Sequence, residues 1–163
     1  MSMIGNLLRV KESELENYLK DSSLLLDRIN NHDTEDANLV DIDKAWDGII
    51  FLLTGQSIIN SNNHPLSKIL FSEQIIDEVQ DLGYGPAHYL TPSQVSELNT
   101  QISVITANSL KPNFDPAKMT EVYPSVWEEE DGAFEYLVDG FSVVQKTYAE
   151  AAKNGEAMIT FLS

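Results

Sequence analysis

Two short apolar runs, residues 3–10 and 156–162, stand apart from everything between them. The intervening chain repeats its apolar positions at three and four, the spacing of helices. A short run that is apolar on both faces suits a strand buried between two layers. Both terminal segments are therefore expected as strands of one central sheet. That demand constrains the fold more than any other feature, because the chain must leave the sheet, build its helices and return to it.

The helical periods carry local start and stop signals. Ser13 and Glu16 have the spacing of a capping box, ahead of Leu15, Tyr18 and Leu19. A second short helix is expected through Leu24, Leu25, Leu26 and Ile29. Residues 41–55 form the strongest pattern of the first half. Asp41 or Asp43 is placed to cap it, Ala45, Trp46, Ile49, Ile50 and Leu53 repeat along it, and Gly55 marks its end. Being apolar over most of its circumference, this helix should be central. Residues 133–154 read as a long amphipathic helix with Leu137, Phe141, Val144 and Tyr148 on its stripe and Gly155 as its stop. The segment 75–82 fits a strand or a helix equally well.

Composition bounds the function. A chain of 163 residues without cysteine suits one domain spanning residues 1–163, and thiol chemistry and disulfides are excluded. The formal net charge is -16, with a pI of about 4.3. Nucleic-acid binding draws on clustered Lys and Arg, and an anionic membrane surface would repel this charge. The same charge would steer a basic partner. The N-terminus lacks a signal-peptide pattern and no apolar run spans a bilayer, so a soluble cytoplasmic protein is expected.

One stretch departs from the acidic background. From Leu82 to Leu110 the only charged side chain is Glu97. This neutral island opens with Gly83-Tyr84-Gly85-Pro86 and runs into a well-specified helix start, where Thr91 caps, Pro92 takes the first position and Gln94 completes a capping box. Free N–H groups at such a helix start favour an anion or a carbonyl oxygen. A ligand site, if present, is expected there, with Trp46 as wall, Tyr84 and Tyr89 as stacking faces or hydroxyls, His88 as a titratable group, and Gly85 and Thr91 framing the turn. Trp46, Tyr84, Tyr89, Tyr123 and Trp127 are candidates for a flat-ligand pocket, and core packing is the blander account of each.

Other constellations are weaker. Asp41, Asp43 and Asp47 invite a magnesium reading, with Asp43 and Asp47 at i, i+4, yet an aspartate before an apolar helix usually caps it. His32 and His64 lie in polar loops, and His88 lacks an orienting carboxylate. No phosphate loop, dinucleotide fingerprint, nucleophile elbow or zinc-protease motif occurs. The acidic run 128–131 reads as solvated. No catalytic residue, metal or cofactor is assigned.

Six segments together resemble the YfbM-like family, a bacterial domain of unknown function: Met3-Ile4-Gly5-Asn6, Asp41-Ile42-Asp43-Lys44-Ala45-Trp46, Leu52-Leu53-Thr54-Gly55, Gly83-Tyr84-Gly85-Pro86, Tyr89-Leu90-Thr91-Pro92 and Tyr123-Pro124. The resemblance covers essentially the whole chain. It implies an α/β fold of α+β character, a three-layer arrangement of helices around a mixed β-sheet. It brings no settled activity. At Ile50 the chain departs from relatives that often carry a histidine. The residues favour a non-enzymatic acidic interaction protein that engages a basic protein partner. The alternative is a small-molecule binder or enzyme with a cleft near Trp46 and the turn at residues 83–89.

Overall fold

The computed structural model describes residues 2–163. Its centre is the antiparallel pair of β1 (Gly5–Val10) and β4 (Ala157–Leu162), in which Leu7 faces Thr160 and Leu8 faces Ile159. Both terminal segments are thus strands, as expected. Two three-residue strands complete the sheet, β2 (Leu39–Asp41) beside β1 and β3 (His88–Leu90) beside β4, in the order β2-β1-β4-β3.

The expected mixed sheet is a purely antiparallel one. The path of the chain explains this at β2. The excursion through α1 (Glu12–Lys20) and α2 (Ser23–Ile29) returns to the end of β1 that it left, where Arg9 N–H donates to Asn38 O at 3.0 Å. A chain that comes back to the same end can only pair antiparallel.

Strand alternation divides the sheet's side chains between two cores. Leu7, Met158 and Leu90 face a core shared with α3 (Trp46–Thr54), α5 (Pro92–Ile102) and the long α7 (Ala133–Asn154). Leu8, Val10, Ile159 and Phe161 face a second core filled by Leu15, Tyr18 and Leu25 of α1 and α2. The result is three layers, helices on both faces of an α+β sheet. Short helices α4 (Ile58–Ser61) and α6 (Ala107–Leu110) punctuate the connections, and a 3-10 turn at Asp43–Ala45 leads into α3. No helix among the described residues is long and apolar enough to cross a membrane.

Local signals set several boundaries. At the start of α5, Thr91 Oγ1 accepts the Gln94 N–H at 3.4 Å and Gln94 Oε1 accepts the Thr91 N–H at 2.9 Å, with Pro92 at the first position. α3 stops at Gly55 and α7 at Gly155, both left-handed. Others shift. The box at the start of α1 uses Glu14, which accepts the Lys11 N–H at 2.9 Å, two residues before the expected pair. Asp41 ends β2 and Asp43 opens the 3-10 turn, so neither caps α3 directly. α7 crosses close to that turn. A Cβ on Gly140 would stand 2.9 Å from the Ala45 Cβ, too near for any larger side chain without displacement.

Candidate functional site

The residues singled out in the sequence separate into three places. Trp46, in the first turn of α3, is buried, and its indole N–H donates to Met3 O at 2.9 Å. Its ring stacks on Tyr123 at 5.1 Å and meets the edge of Phe71 at 5.7 Å. Phe71 in turn stands 5.8 Å from the ring of His88, whose Nδ1 is paired with Ser72 O. Trp46 and His88 are therefore linked through Phe71. Tyr89, the next residue of β3, points to the opposite face and packs on the second core. Alternation along the strand keeps His88 and Tyr89 out of any common pocket. The space beside Trp46, Phe71 and Thr160 is about 10 Å³, room for one water at most.

Tyr84 lies exposed at the tip of the turn. Beneath it, the N–H groups of Gly83 and Gly85 both donate to Asp81 Oδ1, at 2.8 and 3.0 Å. These bonds, Gly85 first and then Gly83, hold the Asp81 carboxyl below its usual range. The anion suited to this glycine turn is thus a side chain of the protein itself, just outside the neutral island. Thr91 is committed to its cap. Tyr84 N–H donates to Leu162 O at 3.3 Å, and Gly83 lies so close to Ser163 that a Cβ there would be 3.0 Å from its Cα. The turn packs against the end of β4.

A larger cleft, about 640 Å³, opens where the Asp43–Ala45 turn, the segment 123–132 and the first turn of α7 meet. One wall is Asp43, Lys44 and Tyr136. Asp43 adopts a left-handed backbone at φ +50°, which aspartate tolerates better than most residues. Tyr136 O–H donates to Asp43 Oδ2 at 2.7 Å and accepts the Lys44 N–H at 3.0 Å. Burial, and then the Asp43 bond, push the phenol well above its ordinary value, while the Lys44 N–H works against them.

The other wall comes from the segment before α7. Trp127 is buried, donates from its indole to Val122 O at 2.9 Å, and lies 6.4 Å from the Tyr136 ring. Tyr123 turns one face to Trp46, and its hydroxyl accepts the Met3 N–H at 2.8 Å. Exposed Glu130 and Asp131 stand on the lining as well. The cleft therefore collects carboxylates and aromatic faces, with Lys44 the only basic side chain among the described residues of its lining, and carboxylates beside aromatic faces suit a cation.

Asp47 braces the cleft from behind. Although only 2% exposed, its carboxylate is fully engaged. Oδ1 accepts the Ile58 N–H at 2.8 Å, and Oδ2 accepts Ser57 Oγ–H and the Tyr123 N–H, both at 2.9 Å. Asp43 and Asp47 thus serve different partners and do not converge on one helix face. Among the described residues no group of three or more His, Asp or Glu is placed to hold a metal ion. Tyr136 is the residue that sequence reasoning passed over. Its signal was an aromatic standing off the apolar stripe of α7.

Residues 1–161 match the model of a family described as a domain of unknown function, DUF1877. Protein YfbM of Escherichia coli strain K12 is 29% identical over 137 residues, covering 80% of this chain and 78% of that protein. The crystal structure of YfbM from Escherichia coli, a protein of unknown function, matches with a TM-score of 0.78 at 22% identity, over 99% of this chain and 100% of that one. At that identity the likeness establishes a common fold.

Proposed function

The chain belongs to the DUF1877 family, and on that premise we propose that it is a non-enzymatic acidic binding protein whose cleft at the start of α7 engages a basic protein partner. The same reading takes residues 1–163 as one domain. The observation that carries it is the lining of the cleft: carboxylates of Asp43, Glu130 and Asp131 with the rings of Tyr123, Trp127 and Tyr136, and Lys44 as the only basic side chain among the described residues of the lining. A cation in such a site gains ring and carboxylate contacts together. At about 640 Å³ the cleft lies within the range of ligand pockets. The net charge of -16 would draw a basic partner toward it. The alternative, a small-molecule site between Trp46 and the turn at residues 83–89, has about 10 Å³ beside Trp46 and stands second.

The test is an amide-shift titration of isotope-labelled protein with a peptide alternating lysine and serine. Shifts should concentrate on Asp43, Lys44, Gly132, Ala133 and Tyr136, and fade as salt is raised. Shifts concentrated on residues 83–94, or spread evenly over the acidic surface, would overturn the assignment.

A further inference from the structure

We propose that the Asp131–Gly132 peptide is a modification site, at which the folded chain rearranges to isoaspartate with water as the only co-reactant. The Gly132 nitrogen attacks Cγ of the protonated Asp131 side chain. The N–Cγ bond forms, the carboxyl hydroxyl leaves with the amide proton as water, and a five-membered succinimide results. Water then adds to one of the two ring carbonyls. Opening at Cγ restores aspartate. Opening at the main-chain carbonyl breaks the original peptide bond and leaves the chain running through Cβ and Cγ. One water is released and one is taken up, with no change of oxidation state.

Glycine after an aspartate or asparagine favours this closure, because no Cβ shields the attacking nitrogen. The chain has four such steps, ending at Gly48, Gly132, Gly140 and Gly155, and the fold restrains three of them. Asp139–Gly140 lies inside α7, where the glycine N–H is a donor of the helix ladder. Asp47 is 2% exposed and three donors hold its carboxylate. At the end of α7 the Gly155 N–H donates to Ala152 O at 3.3 Å, and the Asn154 amide donates to Glu156 Oε1 at 3.2 Å. Asp131–Gly132 has none of these restraints. Both residues are exposed. Among the described residues the Asp131 carboxylate accepts no hydrogen bond, and the Gly132 N–H donates none. Gly132 is the N-cap of α7, ahead of the helix's own ladder. At φ +75° it has open space where a Cβ would stand. The product carries its free carboxylate on Cα, and the main chain is one methylene longer just before α7. Asp131 lies on the cleft lining, so the rearrangement remodels that rim whatever the cleft binds.

The experiment ages the whole folded protein in oxygen-18 water at neutral pH and physiological temperature. Peptide mapping in ordinary water then uses fragmentation that separates isoaspartate from aspartate. Isoaspartate should accumulate at residue 131, with oxygen-18 retained in that peptide, about tenfold faster than at residue 139 or 47, a barrier difference of roughly 1.4 kcal/mol. In urea, with the fold removed, the three rates should converge. Asp131→Glu keeps the charge on an exposed residue but would have to close a six-membered ring, so its peptide should stay unlabelled. No isoaspartate at residue 131 in the folded protein, or a rate there no higher than at residue 139, overturns the proposal. So does an advantage of residue 131 that persists unchanged in urea, because the fold would then not be selecting the step. Label retained in the same peptide of Asp131→Glu overturns it as well, by placing the reaction at another residue.

Discussion

Single residues hold the segments of this protein together, and Asp47 is the clearest case. Its buried carboxylate satisfies donors from α4 and from the Tyr123 segment. Asp47→Ala should lose about 3 kcal/mol in urea unfolding, because several buried donors are left without a partner. Tyr148 acts similarly at one point: fully buried, it donates to Ile69 O at 2.6 Å. Asp36 supplies a pH dependence. Its pKa is lowered by the hydrogen bond from Arg28, against the effect of burial and with help from the Asn38 N–H. A carboxyl with a lowered folded pKa adds stability that is present above its unfolded pKa of about 3.9 and is lost as pH falls through the folded value. Asp36→Asn should therefore flatten the acid limb of melting temperature against pH below about pH 4, with little change in its slope near neutrality. None of these pairings was legible in the sequence. Asp36 and Arg28 lie 8 residues apart with an irregular stretch between them, and the partners of Asp47 lie 10, 11 and 76 residues away.

Elements were legible where their signals are local. The cap at Thr91, the stops at Gly55 and Gly155 and the whole span of α7 follow from residues within a turn of each boundary. β2 and β3 did not show, because three residues cannot display an alternation and their pairing depends on β1 and β4. α3 is the scaffold its apolar circumference implied, with Trp46 at 5% exposure. Trp46→Ala should cost about 3–5 kcal/mol by chemical denaturation, as for other buried aromatics; a loss below about 1 kcal/mol would argue against the packing described for it. Deleting residues 157–163 removes β4, which pairs with both β1 and β3. The shortened chain should show no cooperative melting transition by circular dichroism, since β3 then has no strand to join.

At the scale of the whole molecule, the acidic balance was plain from composition, but the cleft was not. Asp43 comes from a turn far upstream of the stretch that carries Tyr123, Trp127 and Tyr136. The neutral island drew attention instead, and the carboxylate that fills its glycine turn, Asp81, sits just outside it. A formal charge of -16 repels itself across the surface, so raising ionic strength from about 10 to about 150 mM should raise the melting temperature. The same change should weaken binding of a basic peptide, and the opposite signs separate self-repulsion from recognition. The central strand pair has a further consequence, in the order of synthesis. Arg9 and Glu156 form an ion pair across it at 2.7 Å and lie 147 residues apart. At about 5–20 residues per second, a ribosome has β4 ready on the order of ten seconds after β1. Throughout that interval the nascent chain carries β1, apolar on both faces, without the strand that covers it.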